Sequence, residues 1–243
     1  MGLPLPLETL LSQFGSRVSF VSRFEERAAV EAFRPPVRGL GWPEFDALLP
    51  DGGLPVGVVE IAARHGLAGA TVTALAAVRA AHAADEEAWC AWIDPSGTLH
   101  APGAAMAGVA LDRLFVVRPP REALPTIAVK IARAKAFAIL VVDFEAPLPV
   151  PKRRGKRPRP SPDAVAELFV RKIALLAQDV GMTVLLLTDA DERRAAPLPV
   201  ALRLELAQSS TGIDVRVGKD RHGRIGAAKT IPRSSRPVLA LTG

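Results

Sequence analysis

Through the middle of the chain, short aliphatic runs alternate with longer stretches whose apolar residues recur at helical spacing. Residues 58–62, 88–93, 114–117, 138–143 and 183–188 are nearly continuous apolar runs, the pattern of strands covered on both faces. From Gly69 to about Ala84 an alanine-rich run predicts a helix on propensity alone. Leu124, Ile127, Ala128, Ile131 and Ala134 line one helical face, and Val165, Leu168, Phe169, Ile173, Leu176 and Val180 line another, which Gly181 should stop. Strands and helices in this alternation predict an α/β fold with a mostly parallel sheet flanked by helices. Beyond residue 199 the period becomes two. Leu202, Leu204 and Leu206 alternate with Arg203, Glu205 and Ala207, and Ile213, Val215 and Val217 alternate with Asp214, Arg216 and Gly218. That predicts an antiparallel hairpin at the C-terminal edge of the sheet, with residues 238–241 as a last short strand.

Breaks in the pattern divide the chain. Residues 1–36 read as an N-terminal helical appendage: Leu7, Leu10, Leu11 and Phe14 share one face, residues 23–33 suggest a second helix, and Pro35-Pro36 ends the segment. Its apolar face can serve the body of the chain or a neighbouring subunit. Residues 37–243 form the core domain. There Pro43 suits the first turn of a short helix, and Asp51-Gly52-Gly53 ends it. A basic loop at 146–163 interrupts the core, with prolines at 147, 149, 151, 158, 160 and 162 around Lys152, Arg153, Arg154, Lys156, Arg157 and Arg159. Such a segment should be extended and exposed.

Composition narrows the class. With 49% hydrophobic and 23% charged residues among 243, the chain can build a sizeable core. The single cysteine, Cys90, has no disulfide partner, so a reducing, cytoplasmic setting is expected. No apolar run approaches the roughly 20 residues of a membrane span, and residues 1–14 do not read as a signal peptide. The formal charge is +6, and the six basic residues of the loop account for all of it. The charge is therefore a local patch.

The chemistry centres on the stretch from Gly57 to Leu75, where an apolar strand passes through a turn of small residues into the alanine-rich helix. Phosphates bind at such junctions, against backbone N–H groups and the helix N-terminus. A working G-x-x-x-x-G-K-[ST] loop also needs a lysine. With Gly69 as the last loop glycine, Ala70 holds the lysine position and Thr71 the Mg²⁺-ligand position; shifted by one, Gly69 holds the lysine position. Neither register supplies the charge. His65, His82, His100 and His222 are too scattered for a local metal motif, and nothing marks Ser96 as a His-activated nucleophile. No metal and no cofactor is expected.

Several segments in order resemble RecA-type recombinases from about residue 39 to residue 224. Phe45-Asp46 and Gly52 through Ile61 resemble the approach to the phosphate loop, Trp92-Ile93-Asp94 the second core strand, and Ile139 through Asp143 the Walker B strand. Val217-Gly218-Lys219-Asp220-Arg221 resembles the late basic hairpin, whose charges reach nucleotide across a subunit interface. The resemblance implies a RecA-like fold and places the basic loop at the first DNA-binding loop. It also sharpens the losses, because the position of the catalytic glutamate is Ser96, which cannot activate a water as a carboxylate does. Asp143 and Asp94 then either hold a Mg²⁺-bound water or serve as strand-end structure. Lys219 and Arg221 are exposed hairpin charges, an interface or a DNA contact.

A RecA-like chain of this size with a degenerate loop is similar to the ImuA family of mutasome accessory proteins. That likeness implies a non-enzymatic adaptor, a pseudo-ATPase, in SOS-induced translesion synthesis and DNA repair. Its expected partners are an ImuB-type protein, RecA, an error-prone DNA polymerase indirectly, and DNA. The alternatives are a RecA-like DNA-dependent ATPase with a rearranged phosphate-binding site and a SulA-like cell-division inhibitor. Arginines on an extended loop suit sequence-independent, salt-sensitive contact with successive phosphates. The loop holds no aromatic residue to stack bases; it could equally dock an acidic partner or remain solvated.

Overall fold

A computed structural model describes residues 37–63, 69–144, 161–191 and 197–232. The N-terminal helices expected in 1–36, most of the basic loop, the middle of the phosphate junction and the expected strand at 238–241 lie outside the described residues. The described chain runs β1 (Val37–Arg38), α1 (Pro43–Asp46), β2 (Leu54–Pro55), β3 (Gly57–Ala63), α2 (Ala70–Ala84), β4 (Trp89–Ile93) and α3 (Ala101–Met106). It continues through β5 (Leu114–Val117), α4 (Leu124–Arg133), β6 (Phe137–Asp143), α5 (Pro162–Val180), β7 (Thr183–Asp189), β8 (Leu202–Gln208), β9 (Gly212–Asp220) and β10 (Ala228–Pro232).

Eight strands form one sheet in the order β10-β9-β8-β3-β7-β6-β4-β5, while β1 and β2 pair separately. From β5 across to β8 every neighbour is parallel; β8–β9 and β9–β10 are antiparallel. The fold is thus the expected RecA-like α/β arrangement, with its hairpin at the C-terminal edge extended by one more strand. β3 lies in the middle, and all seven of its residues are buried, which explains its unbroken apolar run. Two cores occupy the two faces. Val59 and Ile61 of β3 pack with Ala74, Ala77 and Val78 of α2 and with Leu204 and Val215 of the hairpin. Val58 packs with Ala128 of α4 and with Phe169, Val170 and Ile173 of α5.

Local chemistry sets the element ends. Ser161 caps α5 by accepting a hydrogen bond from the Ala164 amide at 3.1 Å, an interaction that contributes about 1 kcal/mol. Pro162 follows at the first helical position. Gly181 closes the helix at φ 71°, and the Met182 amide returns to the Ala177 carbonyl at 2.9 Å.

One polar contact crosses the middle of the sheet. Glu60 of β3, fully buried, accepts from Arg203 Nη1 at 2.8 Å and from Thr188 Oγ1 at 2.9 Å. Arg203 also reaches Glu205 Oε1 at 3.3 Å. The hairpin is therefore joined to the parallel strands by charge as well as by β8–β3 hydrogen bonds.

Candidate functional site

β3 ends at Ala63 and α2 begins at Ala70, so the junction lies at the carboxyl ends of the parallel strands, where doubly wound sheets bind ligands. Gly69 is the N-cap of α2 and no side chain caps that end. Its backbone is ordinary, at φ −73°; what forbids a side chain there is packing, because a Cβ on Gly69 would overlap Cδ1 of the buried Ile213. Strand β9 thus fills the space beside position 69. Ala70 is half-buried and Thr71 exposed.

The two acidic positions differ. Asp143 is half-buried at the end of β6. Asp94 is wholly buried and committed to the turn after β4. Its Oδ1 accepts from the Thr98 amide at 2.9 Å and from Thr98 Oγ1 at 3.3 Å, while Oδ2 accepts from the Leu99 amide at 3.1 Å. Arg118 Nε, 3.3 Å from Oδ2, completes the shell. This carboxylate organises a turn and presents no face to solvent. Ser96 lies on the same turn and is exposed.

Lys219 and Arg221 lie elsewhere. Ile213 pairs with Gln208 at the carboxyl end of β8, whereas Lys219 pairs with Arg203 near its start. Six residues of strand separate them, about 20 Å. Lys219 is half-buried, its Nζ donating to the Leu198 carbonyl at 2.8 Å; only Arg221 is an exposed hairpin charge. From there Lys219 can meet a phosphate at the 69–71 junction only in another copy. Lys152, Arg153, Arg154, Lys156, Arg157 and Arg159 lie outside the described residues.

Sequence reasoning missed a second feature. β5 is the last strand of the sheet, and among the described residues nothing pairs with its outer edge. Both of its faces are open in part, with Phe115 47% and Val116 38% exposed. On one face Phe115 stacks on Phe137 at 6.0 Å. On the other, a groove of about 410 Å³ runs between β5 and α3, lined by Ala101, Ala104, Leu111, Leu114 and Val116 with Arg118 among them. An uncharged edge strand that nothing pairs with among the described residues, beside an apolar groove, has the form of a template for another strand. The run Leu114-Phe115-Val116-Val117 reads as a strand covered on both faces, yet among the described residues it ends the sheet, half exposed and without the charges that usually guard an edge.

No protein-family model matches this chain, and no curated protein does. Among the described residues no group of three or more His, Cys, Asp or Glu side chains could hold a metal ion, and no helix is long and apolar enough to cross a membrane.

Proposed function

We propose that this chain is a non-enzymatic RecA-like adaptor of SOS-induced translesion synthesis, joining an ImuB-type protein and RecA, with DNA held through the basic loop. The observation that carries the reading is the β5 edge, unpaired among the described residues, beside its apolar groove, because an unpaired edge can add a strand from another protein. The phosphate junction supports it from the other side. Position 69 is packed by Ile213, positions 70 and 71 are uncharged, and Asp94 is spent on a turn.

The adaptor reading is tested by pull-down of the full chain with purified ImuB-type protein and with RecA. Retention of at least one is expected, and retention of neither would sink the reading. The loss of nucleotide chemistry is tested by ATP turnover, where only background hydrolysis is expected. Saturable hydrolysis abolished by Asp143→Ala would instead establish the rival, an NTPase with a rearranged site.

A further inference from the structure

We infer that Arg118 sets the specificity of the β5 edge, unpaired among the described residues, selecting an extended peptide that places an apolar side chain in the groove and a carboxylate beside it. This rests on the docking reading of that edge. The groove wall is aliphatic apart from Arg118, and an aliphatic wall separates one apolar side chain from another by only about 1–3 kcal/mol per methylene. Sequence selection therefore needs a polar group, and Arg118 is the charged side chain in the lining.

Its geometry suits the task. Arg118 is held from behind: Nε meets the buried Asp94 at 3.3 Å, and Nη2 meets the Leu99 carbonyl at 3.4 Å. The remaining donors of the planar fork stay in water, with the side chain 59% exposed. A guanidinium fixed in this way can take a carboxylate through its outer edge with little further loss of freedom. Asp94 has its oxygens filled by the turn, so it acts as a positioning residue for Arg118. An extended peptide fits better than a compact small molecule because the outer N–H and C=O groups of β5 run alongside the groove and need a strand to satisfy them.

A random-peptide phage library panned on the purified full chain tests the inference. The wild-type protein should enrich peptides with a large apolar residue and an Asp or Glu at a fixed spacing from it. The affinity of a synthetic winner should fall about fivefold with Arg118→Ala, the scale of an exposed ion pair. Arg118→Glu should exchange the acidic preference for Lys or Arg, which a merely structural arginine would not do. Because that variant sets a second carboxylate beside Asp94, the double variant Asp94→Asn/Arg118→Glu is panned in parallel, with circular dichroism confirming that it is folded. A consensus without an acid, or one unchanged by charge reversal, overturns the inference. Ala101→Trp, at an exposed position of the groove wall and checked for folding by circular dichroism, separates it from the docking reading: if the selected peptides still bind this folded variant, the docking reading falls. No enrichment over an unrelated protein overturns both.

Discussion

His82 enters the core in the last turn of α2, and neither ring nitrogen has a hydrogen-bond partner among the described residues. Burial, and next the charge of Arg113, hold its pKa below the usual 6.5. The folded protein therefore refuses a proton that the unfolded chain accepts. This contribution to stability is intact above pH 6.5 and is lost as the pH falls towards the lower folded value. The urea midpoint should drop between about pH 7.5 and pH 5.5, and His82→Leu should flatten that slope. A rise in wild-type stability over the same interval would contradict it. At this scale the sequence was legible in type and opaque in contact. Gly69 could be read in two registers because the residue that excludes a side chain there, Ile213, lies far along the chain. Asp94 looked like half of a nucleotide site because its turn partners, Thr98 and Leu99, form no familiar motif.

Among the elements, the long apolar runs were read from the sequence almost to the residue, since continuous burial on two faces leaves few alternatives. Two elements that escaped bury little of themselves. β10 turns a single buried residue, Ile231, to the core; α3 carries Pro102 and Gly103, which argue against a helix. Equally hidden was the clamp that ties the β9–β10 turn to the turn before β2. Arg224 meets Asp51 through both Nη atoms at 2.7 and 2.9 Å and Asp220 through Nε at 2.9 Å. The Arg224 hydrogen bonds hold Asp51 below the usual carboxylate range. Burial pushes Asp220 up, but its bonds to Arg224 more than offset that and leave it lowered too. With both folded values depressed, the clamp stabilises above the unfolded carboxylate pKa and fails as the pH falls through the folded ones. Arg224→Ala should cost about 1 kcal/mol at neutrality, an upper figure for a half-exposed pair. Urea titrations should show that difference shrinking as the pH is taken below the ordinary carboxylate value of about 3.9; an equal loss at neutral and acid pH would exclude the clamp.

For the whole molecule, acidic side chains outnumber basic ones among the described residues, so the described part of the body offers DNA no net attraction. Replacing Lys152, Arg153, Arg154, Lys156, Arg157 and Arg159 with alanine should abolish gel-shift binding at low salt while leaving the circular dichroism unchanged; unaltered affinity would return the segment to solvent. The architecture could be read from sequence because it follows from periodicity, whereas the Glu60–Arg203 contact could not, because it joins strands that are distant in the chain. That contact has a consequence for how the molecule is completed. A one-residue slip of β8 along β3 would turn Arg203 and Glu205 into the apolar face that holds Leu202, Leu204 and Leu206. The ion pair therefore works as a key that admits a single alignment. A chain interrupted before residue 202 would keep the central carboxylate and lack the Arg203 cation, so an unfinished product would bear its own mark of incompleteness in the centre of the sheet.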